Sequence, residues 1–373
     1  MGDVITERKI AQLKKVYPDA DYNTLFEILL AYNGDTDAFL GKRDERDDTQ
    51  PNHNKNHPLF RKMKASVTKN KSEQPAKSSR SRHKTTIMLD CPEVSRTIPY
   101  CSLHENILES SIADELLVYL LKQSPDWSKH AYNIAGREVY SHHTGCLYLD
   151  ETEGEDHGAL HEISEDGGRI KCVERSMPTI LQTALNCINE KVRELLDDSS
   201  AKSFKANAAL VNYYKDETDS VGYHSDQLTH IGPQAIIASL SLGASREFHI
   251  RPLEKPDHSM HNALNKNCTY ITMLPHNSLF IMHPNFQETY KHSIPECESV
   301  HEIHDQAGRQ RINITFRMYK ENFRPSELPK CTTCGKHLIL RTAFKKSGDY
   351  FWSCGRHDNG TFLWDTDLHS KRN

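Results

Sequence analysis

The sequence predicts three folded segments: a small helical bundle, a β-rich α+β core that reads as an antiparallel sandwich or jelly roll, and a small cysteine-bearing finger. Three observations carry this. Apolar residues recur at helical spacing near the N-terminus, and many short apolar runs with turn signals fill the middle. Cys331, Cys334 and Cys354 then cluster towards the end. A chain of 373 residues has room for two or three domains. Its formal charge of -4 argues against a surface that coats nucleic acid all over. That average hides a basic stretch of Arg61, Lys62, Lys64, Lys69, Lys71, Lys77, Arg80, Arg82 and Lys84, interrupted by a single acid, Glu73. No apolar run is long enough to cross a bilayer, and the N-terminus lacks the apolar region of a signal peptide. The other cysteines are scattered, as suits a reducing compartment. The chain therefore reads as intracellular, with no membrane partner.

Residues 4–43 carry the helical bundle. Ile10, Leu13, Val16 and Tyr17 mark one apolar face that Pro18 ends, and Tyr22, Leu25, Phe26, Ile28, Leu29 and Leu30 give a second helix. Asn33-Gly34-Asp35 is a turn, and Ala38, Phe39 and Leu40 lie on a third, short helix. So small a unit buries little core, and apolar residues left outside it suggest a binding face. The segment resembles a CUE domain: Val16-Tyr17-Pro18 stands where that family has Met-Phe-Pro, and Leu29-Leu30 matches its di-leucine. The resemblance implies a three-helix bundle that binds ubiquitin. Residues 44–85 are polar and Ser/Lys/Asn-rich, too poor in apolar groups to offset chain entropy, and are expected to be a disordered linker. Their basic run reads as a nuclear-localisation signal or a phosphate-binding arm, so the expected location is nuclear.

Residues 86–323 form the core. The periodicity predicts helices over 112–121 and 178–196, and strands over 208–214, 236–242, 248–250, 269–274, 278–282 and 312–319. Within it, His224-Ser225-Asp226 places an imidazole and a carboxylate two residues apart, on one face if the run is a strand. Two such ligands and a second histidine would make the two-His-one-carboxylate set that suits non-haem Fe(II). His292 is the favoured third ligand, in an extended run that ends at Pro295. His283, directly before Pro284, reads as a rim residue; His301 and His304 lie in a charged, loop-like insertion, with His301 nearer Arg311. Iron chemistry of this kind needs a co-substrate. A 2-oxoacid has a distal carboxylate that an arginine fork can grip. Arg311, Thr315 and Arg317 share a strand face, where buried arginines would need anionic partners.

With these residues in view, the chain resembles an AlkB-type Fe(II)/2-oxoglutarate dioxygenase over roughly residues 100–320. The matching stretches are Asn212-Tyr213-Tyr214, 219–226, 237–244, His292-Ser293-Ile294-Pro295 and 311–317. The resemblance implies an α+β double-stranded β-helix (jelly-roll) core. It also implies iron on His224, Asp226 and His292, and a 2-oxoglutarate site lined by Asn212, Tyr214, Arg311, Thr315 and Arg317. The implied reaction is oxidative removal of N-methyl groups from bases in alkylated DNA, as in alkylation-damage repair, with release of formaldehyde, succinate and CO2. An RNA demethylase, a protein hydroxylase and a non-catalytic ubiquitin and nucleic-acid adaptor are the alternatives. Repair members carry an acidic residue just after the H-x-D, contacting the base; here Gln227 follows Asp226. Tyr148, in the region where the family places its nucleotide-recognition lid, is expected to stack on the base.

Residues 328–367 form the finger. Cys331 and Cys334 give a C-x2-C pair and Cys354 begins a later C-x2-H that ends at His357, a spacing suited to Zn(II). The tail resembles a zinc-ribbon-like GRF-type finger through Leu340-Arg341-Thr342, 349–354 and Phe362-Leu363-Trp364. His357 is the first choice for the fourth ligand and His337 the second. The resemblance implies binding of single-stranded nucleic acid, with Arg341, Lys345 and Lys346 available to phosphates. Residues 331–366 are expected to stand as a separate tail.

Overall fold

The computed structural model describes residues 12–15, 85–134, 137–150, 173–196, 199–253, 268–299, 302–342, 350–354 and 362–364. The predicted CUE-like segment lies outside these, apart from a helical turn at 12–15, and so does the linker up to residue 84. The chain divides into two compact units, residues 1–82 with 132–139, and residues 83–131 with 140–373. The second holds the core.

Its strands, in chain order, begin with β1 (Thr85–Leu89), β2 (Cys101–His104), β3 (Ser128–Ile134), β4 (Arg137–Leu149), β5 (Val173–Ser176) and β6 (Ala208–Tyr214). Then follow β7 (Val221–His224), β8 (Ile237–Gly243), β9 (Arg246–Pro252), β10 (Cys268–Leu274), β11 (Ser278–Met282), β12 (Tyr290–Ile294) and β13 (Arg311–Arg317). Helices α1 (Cys91–Thr97), α2 (Ser110–Gln123), α3 (Thr179–Leu195), α4 (Ser199–Lys202) and α5 (Phe286–Thr289) intervene. One five-stranded sheet has the order β1-β10-β9-β12-β7; a second runs β2-β11-β8-β13-β6-β4, with β5 on β4. These two sheets make a β-rich core consistent with a double-stranded β-helix, as expected.

Alternation explains how the layers separate. On β13, Ile312, Ile314 and Phe316 face away from the first sheet and join Leu116, Leu117 and Leu120 of α2 and Leu185, Ile188 and Val192 of α3 in one buried cluster. Arg311, Asn313 and Thr315 face the other way. Each fully buried Leu, Ile or Phe stabilises the fold by about 1.5–3 kcal/mol, so the helices clamp the larger sheet from outside. α1 is a short helix that the periodicity does not announce. Its start is a capping box: Glu93 N–H donates to the Asp90 side chain at 3.0 Å, and Asp90 N–H to the Glu93 carboxylate at 3.0 Å.

The end of β8 needs Gly243. Its φ is +90°, and a Cβ there would lie 2.4 Å from the Gln310 carbonyl oxygen, immediately before Arg311. Gly243→Ala is expected to destabilise the core by about 2–4 kcal/mol, from left-handed strain plus a backbone clash. Urea unfolding of the purified variant checks this; an unchanged midpoint would mean that the turn tolerates a side chain.

A third, three-stranded sheet is formed by β14 (Ile339–Thr342), β15 (Tyr350–Ser353) and β16 (Phe362–Trp364). The tail expected to be separate is not. Leu338, Leu340, Tyr350 and Trp352 are buried in the same apolar cluster as Leu228, Ile231, Phe248 and Phe286 of the core. Their apolar side chains give the small sheet a face that the core covers.

Candidate metal and co-substrate site

β7 and β12 pair so that His292 lies opposite His224. The strand ends at His224, however, and Asp226 follows in irregular chain. The H-x-D therefore does not act as one strand face. Asp226 is set by a different contact, its N–H donating to Gln287 Oε1 of α5 at 2.7 Å. One Asp226 carboxylate oxygen then stands 3.5 Å from His224 Nε2 and 3.5 Å from His292 Nε2, and the three groups lie within 4.8 Å of one another.

The protonation pattern fits a cation between them. His224 Nδ1 lies 2.9 Å from the Gly222 carbonyl oxygen, which can only accept. The ring proton is thus on Nδ1, and the Nε2 lone pair faces the carboxylate. Burial, with His224 beside it and against the opposing pull of Asp226, lowers the His292 pKa to about 3, so this ring is neutral at working pH. Burial alone would raise Asp226. Arg317, whose guanidinium donates to its second oxygen, together with both histidines, holds the carboxyl well below the usual range instead. Arg317, expected to line the co-substrate site, here pairs with the metal-side carboxylate. Phe248 and Phe286 pack their rings 5.4 and 5.9 Å from that of His292. The His224 side chain is 40% exposed against 5% for Asp226, which puts the open side of the site at His224.

Another Asp–His–His group contrasts with this one. Asp114 Oδ1 lies 3.5 Å from His276 Nε2 and 3.6 Å from His304 Nε2. There the Gly243 N–H donates to His276 Nδ1 at 3.1 Å and the Gln306 N–H to His304 Nδ1 at 3.3 Å. Neutral rings then carry their protons on Nε2, towards Asp114, and offer no lone pair to a metal.

Across the sandwich, β13 pairs with β6 in a register that sets Arg311 against Tyr214 and Asn313 against Asn212, and with β8 so that Asn313 meets Ser241 and Thr315 meets Ser239. Arg311 is 1% exposed. Its Nη2 donates to Ser241 Oγ at 2.9 Å and Asn313 Oδ1 at 2.8 Å, while Nε and Nη1 are buried without partners. No carboxylate among the described residues pairs with it. Burial, opposed by Tyr214 and reinforced by Arg246, brings its pKa to about 10, so it remains a cation at neutral pH. A buried guanidinium with two idle donors and only neutral partners is expensive unless an anion completes it. The distal carboxylate of a 2-oxoacid is such an anion, and the residues fit it. Thr315 is tied in through Asn313 Nδ2 at 3.0 Å, and Tyr214 stacks on His143 with centroids 5.1 Å apart.

Asn313, Ser239, Ser241 and Gln287 were missed by sequence reasoning. Asn313 had a signal, since it alternates with Arg311 and Thr315; small serines in a wholly buried strand and a glutamine on a one-turn helix had none. Gln227 is exposed beside Asp226, its Nε2 donating to Thr229 Oγ1 at 3.0 Å. Tyr148 is a correction. At 2% exposure, with its ring edge-on to Trp127 at 6.4 Å, it belongs to the core and offers no face to a base. His283, placed at the rim, bonds Ser102 Oγ at 2.9 Å.

In the finger, the Cys331, Cys334 and Cys354 sulfurs lie within 4.8 Å of one another, with Cys334 and Cys354 3.8 Å apart. Tetrahedral thiolates about 2.3 Å from a zinc ion would stand roughly 3.8 Å apart. His357 lies outside the described residues; His337 is buried beside the Cys331 loop.

The comparisons with known proteins cover the segment that carries this group. The profile of the 2OG-Fe(II) oxygenase superfamily matches residues 100–317. Mouse "Alpha-ketoglutarate-dependent dioxygenase alkB homolog 3" is 33% identical over 130 residues, 34% of this chain and 40% of that protein. Mouse "DNA oxidative demethylase ALKBH2" is 31% identical over 128 residues, 34% of this chain and 48% of that one. The matched region thus spans less than half of either relative. A solved structure, "The structure of OsALKBH1", aligns with a TM-score of 0.37 and 15% identity over 59% of this chain and 99% of that one, too slight a likeness to bear on the fold.

Proposed function

Because the chain belongs to the 2OG-Fe(II) oxygenase superfamily, we propose that it is an AlkB-type dioxygenase that oxidatively removes N-methyl groups from bases in nucleic acid, DNA first. The observation that carries this reading is Arg311, a buried cation with two idle donors on the sheet that faces the His224, Asp226 and His292 group. The substrate class is supported by the relative named DNA oxidative demethylase. When bound, Fe(II) and 2-oxoglutarate would supply the oxidation: one O2 oxygen ends in the new carboxylate of succinate as the oxoacid loses CO2, and the other in the N-methyl C–H bond, whose hydroxymethyl product releases formaldehyde and leaves N–H on the base.

The protein's part is to hold, orient and exclude. His224, Asp226 and His292 would hold the Fe(II), and Arg317 keeps Asp226 an anion for it. Arg311, steadied by Ser241 and Asn313, would take the distal carboxylate of 2-oxoglutarate, with Tyr214, Asn212 and Thr315 around it. Phe248 and Phe286 keep water from His292. The open His224 side, with Gln227 at its edge, would admit an extruded base. Extrusion from a duplex costs a few kcal/mol, which favours single strands. The finger cysteines would hold one Zn(II), and that segment would bind single-stranded nucleic acid.

The test gives purified protein, Fe(II), ascorbate and 2-oxoglutarate a methylated single-stranded DNA, its duplex and the matching RNA. Formaldehyde and succinate in equal amounts are expected on single-stranded DNA. Turnover on RNA alone would move the substrate to RNA, and no formaldehyde on any strand would reject the reading.

A further inference from the structure

The loop that carries Asp226 is held from two sides, and one of them is the finger. Thr229, which is fully buried, accepts with one oxygen from Gln227 Nε2 at 3.0 Å and from the Leu340 N–H of β14 at 3.2 Å. Tyr350 of β15 donates its hydroxyl to Glu288 Oε1 at 3.0 Å, and the Gln234 N–H donates to that same oxygen at 2.9 Å. Glu288 follows Gln287, whose side chain accepts the Asp226 N–H. The segment 226–234 is therefore tied to the finger directly at Thr229 and, through Glu288, at Gln234.

The cysteines flank the strands that make those contacts. β14 pairs with β15 so that Ile339 meets Ser353 and Thr342 meets Tyr350. Cys354 lies one residue beyond β15, and Cys331 and Cys334 precede β14. An ion gripping all three would fix both strands, and with them Leu340 and Tyr350. So small a sheet has little core of its own to do this.

We propose that the finger braces the Asp226 loop, and that Thr229 and Tyr350 are the positioning residues through which it acts on the metal site. The brace rests on the iron-site reading only for what the loop holds. Groups beyond the direct ligands tune metal affinity by roughly 10–100-fold.

The experiment uses the full chain carrying one equivalent of zinc, which the three thiolates take first, and measures Mn(II) affinity by calorimetry for the wild type, Thr229→Val, Thr229→Ser and Tyr350→Phe. Mn(II) serves because it shares the ligand preferences of Fe(II) and binds thiolates weakly. Zinc content and melting temperature report the finger and the fold separately. Tyr350→Phe keeps its ring in the core, and Glu288 keeps its Gln234 donor. The expected result is about tenfold weaker Mn(II) binding in Thr229→Val and Tyr350→Phe with zinc retained, and wild-type affinity in Thr229→Ser. Unchanged affinity in both weakened variants, or equal weakening in Thr229→Ser, would overturn the brace. No Mn(II) binding by the wild type would overturn the iron-site reading and the brace with it.

Discussion

Replacing Arg311 by methionine is expected to weaken 2-oxoglutarate binding by about 2–5 kcal/mol, roughly thirtyfold to several-thousandfold, while leaving the metal in place. The guanidinium sits on β13, away from the histidines of β7 and β12, so the metal ligands lose nothing directly. What is lost is the cation for a carboxylate that would otherwise be buried unpaired. Methionine is unbranched and fills similar space, so the pocket need not collapse. The metal-free, co-substrate-free protein gains from losing a buried charge whose Nε and Nη1 have no partner. Its melting temperature should therefore stay or rise. Arg311→Lys keeps the charge but not the planar fork, and should fall between methionine and the wild type. A melting temperature that drops with affinity unchanged would mark Arg311 as a structural residue.

Asp226→Ala is expected to abolish succinate production and, separately, to destabilise the metal-free protein by about 3–5 kcal/mol. The second effect comes from Arg317. Asp226 is the carboxylate that its guanidinium pairs with, and its Nε is already without a partner, so the alanine leaves a mostly buried charge without its counter-ion. The double variant with Arg317→Met should recover stability but not metal binding. The pair also sets a pH dependence. The Asp226 pKa is depressed in the fold, so its stabilisation is fully present above the unfolded value of about 3.9 and is lost as pH falls through the folded one. Acid unfolding of Asp226→Ala should lose that contribution. Succinate production at the wild-type rate would mean that Asp226 is not a ligand.

Much of this was legible because β-strands announce themselves locally. The run over 208–214 coincides with β6 and that over 278–282 with β11, and the helix over 178–196 exceeds α3 only by its two capping residues. His292 could be singled out from its extended context, and it lies opposite His224. What failed depends on distant contacts. Asp226 reaches the histidines through Gln287, 61 residues away, and no spacing rule contains that hydrogen bond. Tyr148 alternates as a strand residue should, but the sequence does not say that Trp127 covers it. The finger looked separate because its cysteines are locally sufficient. Its docking is written in an apolar face, Leu338, Leu340, Tyr350 and Trp352, that packs on core residues distant in sequence.

The central claim is that His224, Asp226 and His292 with Arg311 across the sandwich form one site for metal and 2-oxoglutarate. Sequential calorimetric titration of Mn(II) and then 2-oxoglutarate tests it most directly, on the wild type, Asp226→Ala, His292→Ala and Arg311→Met. The account predicts that the Asp226 and His292 variants lose both ligands, whereas Arg311→Met binds Mn(II) normally and loses 2-oxoglutarate alone. Wild-type 2-oxoglutarate affinity in Arg311→Met, or wild-type Mn(II) affinity in His292→Ala, would contradict it.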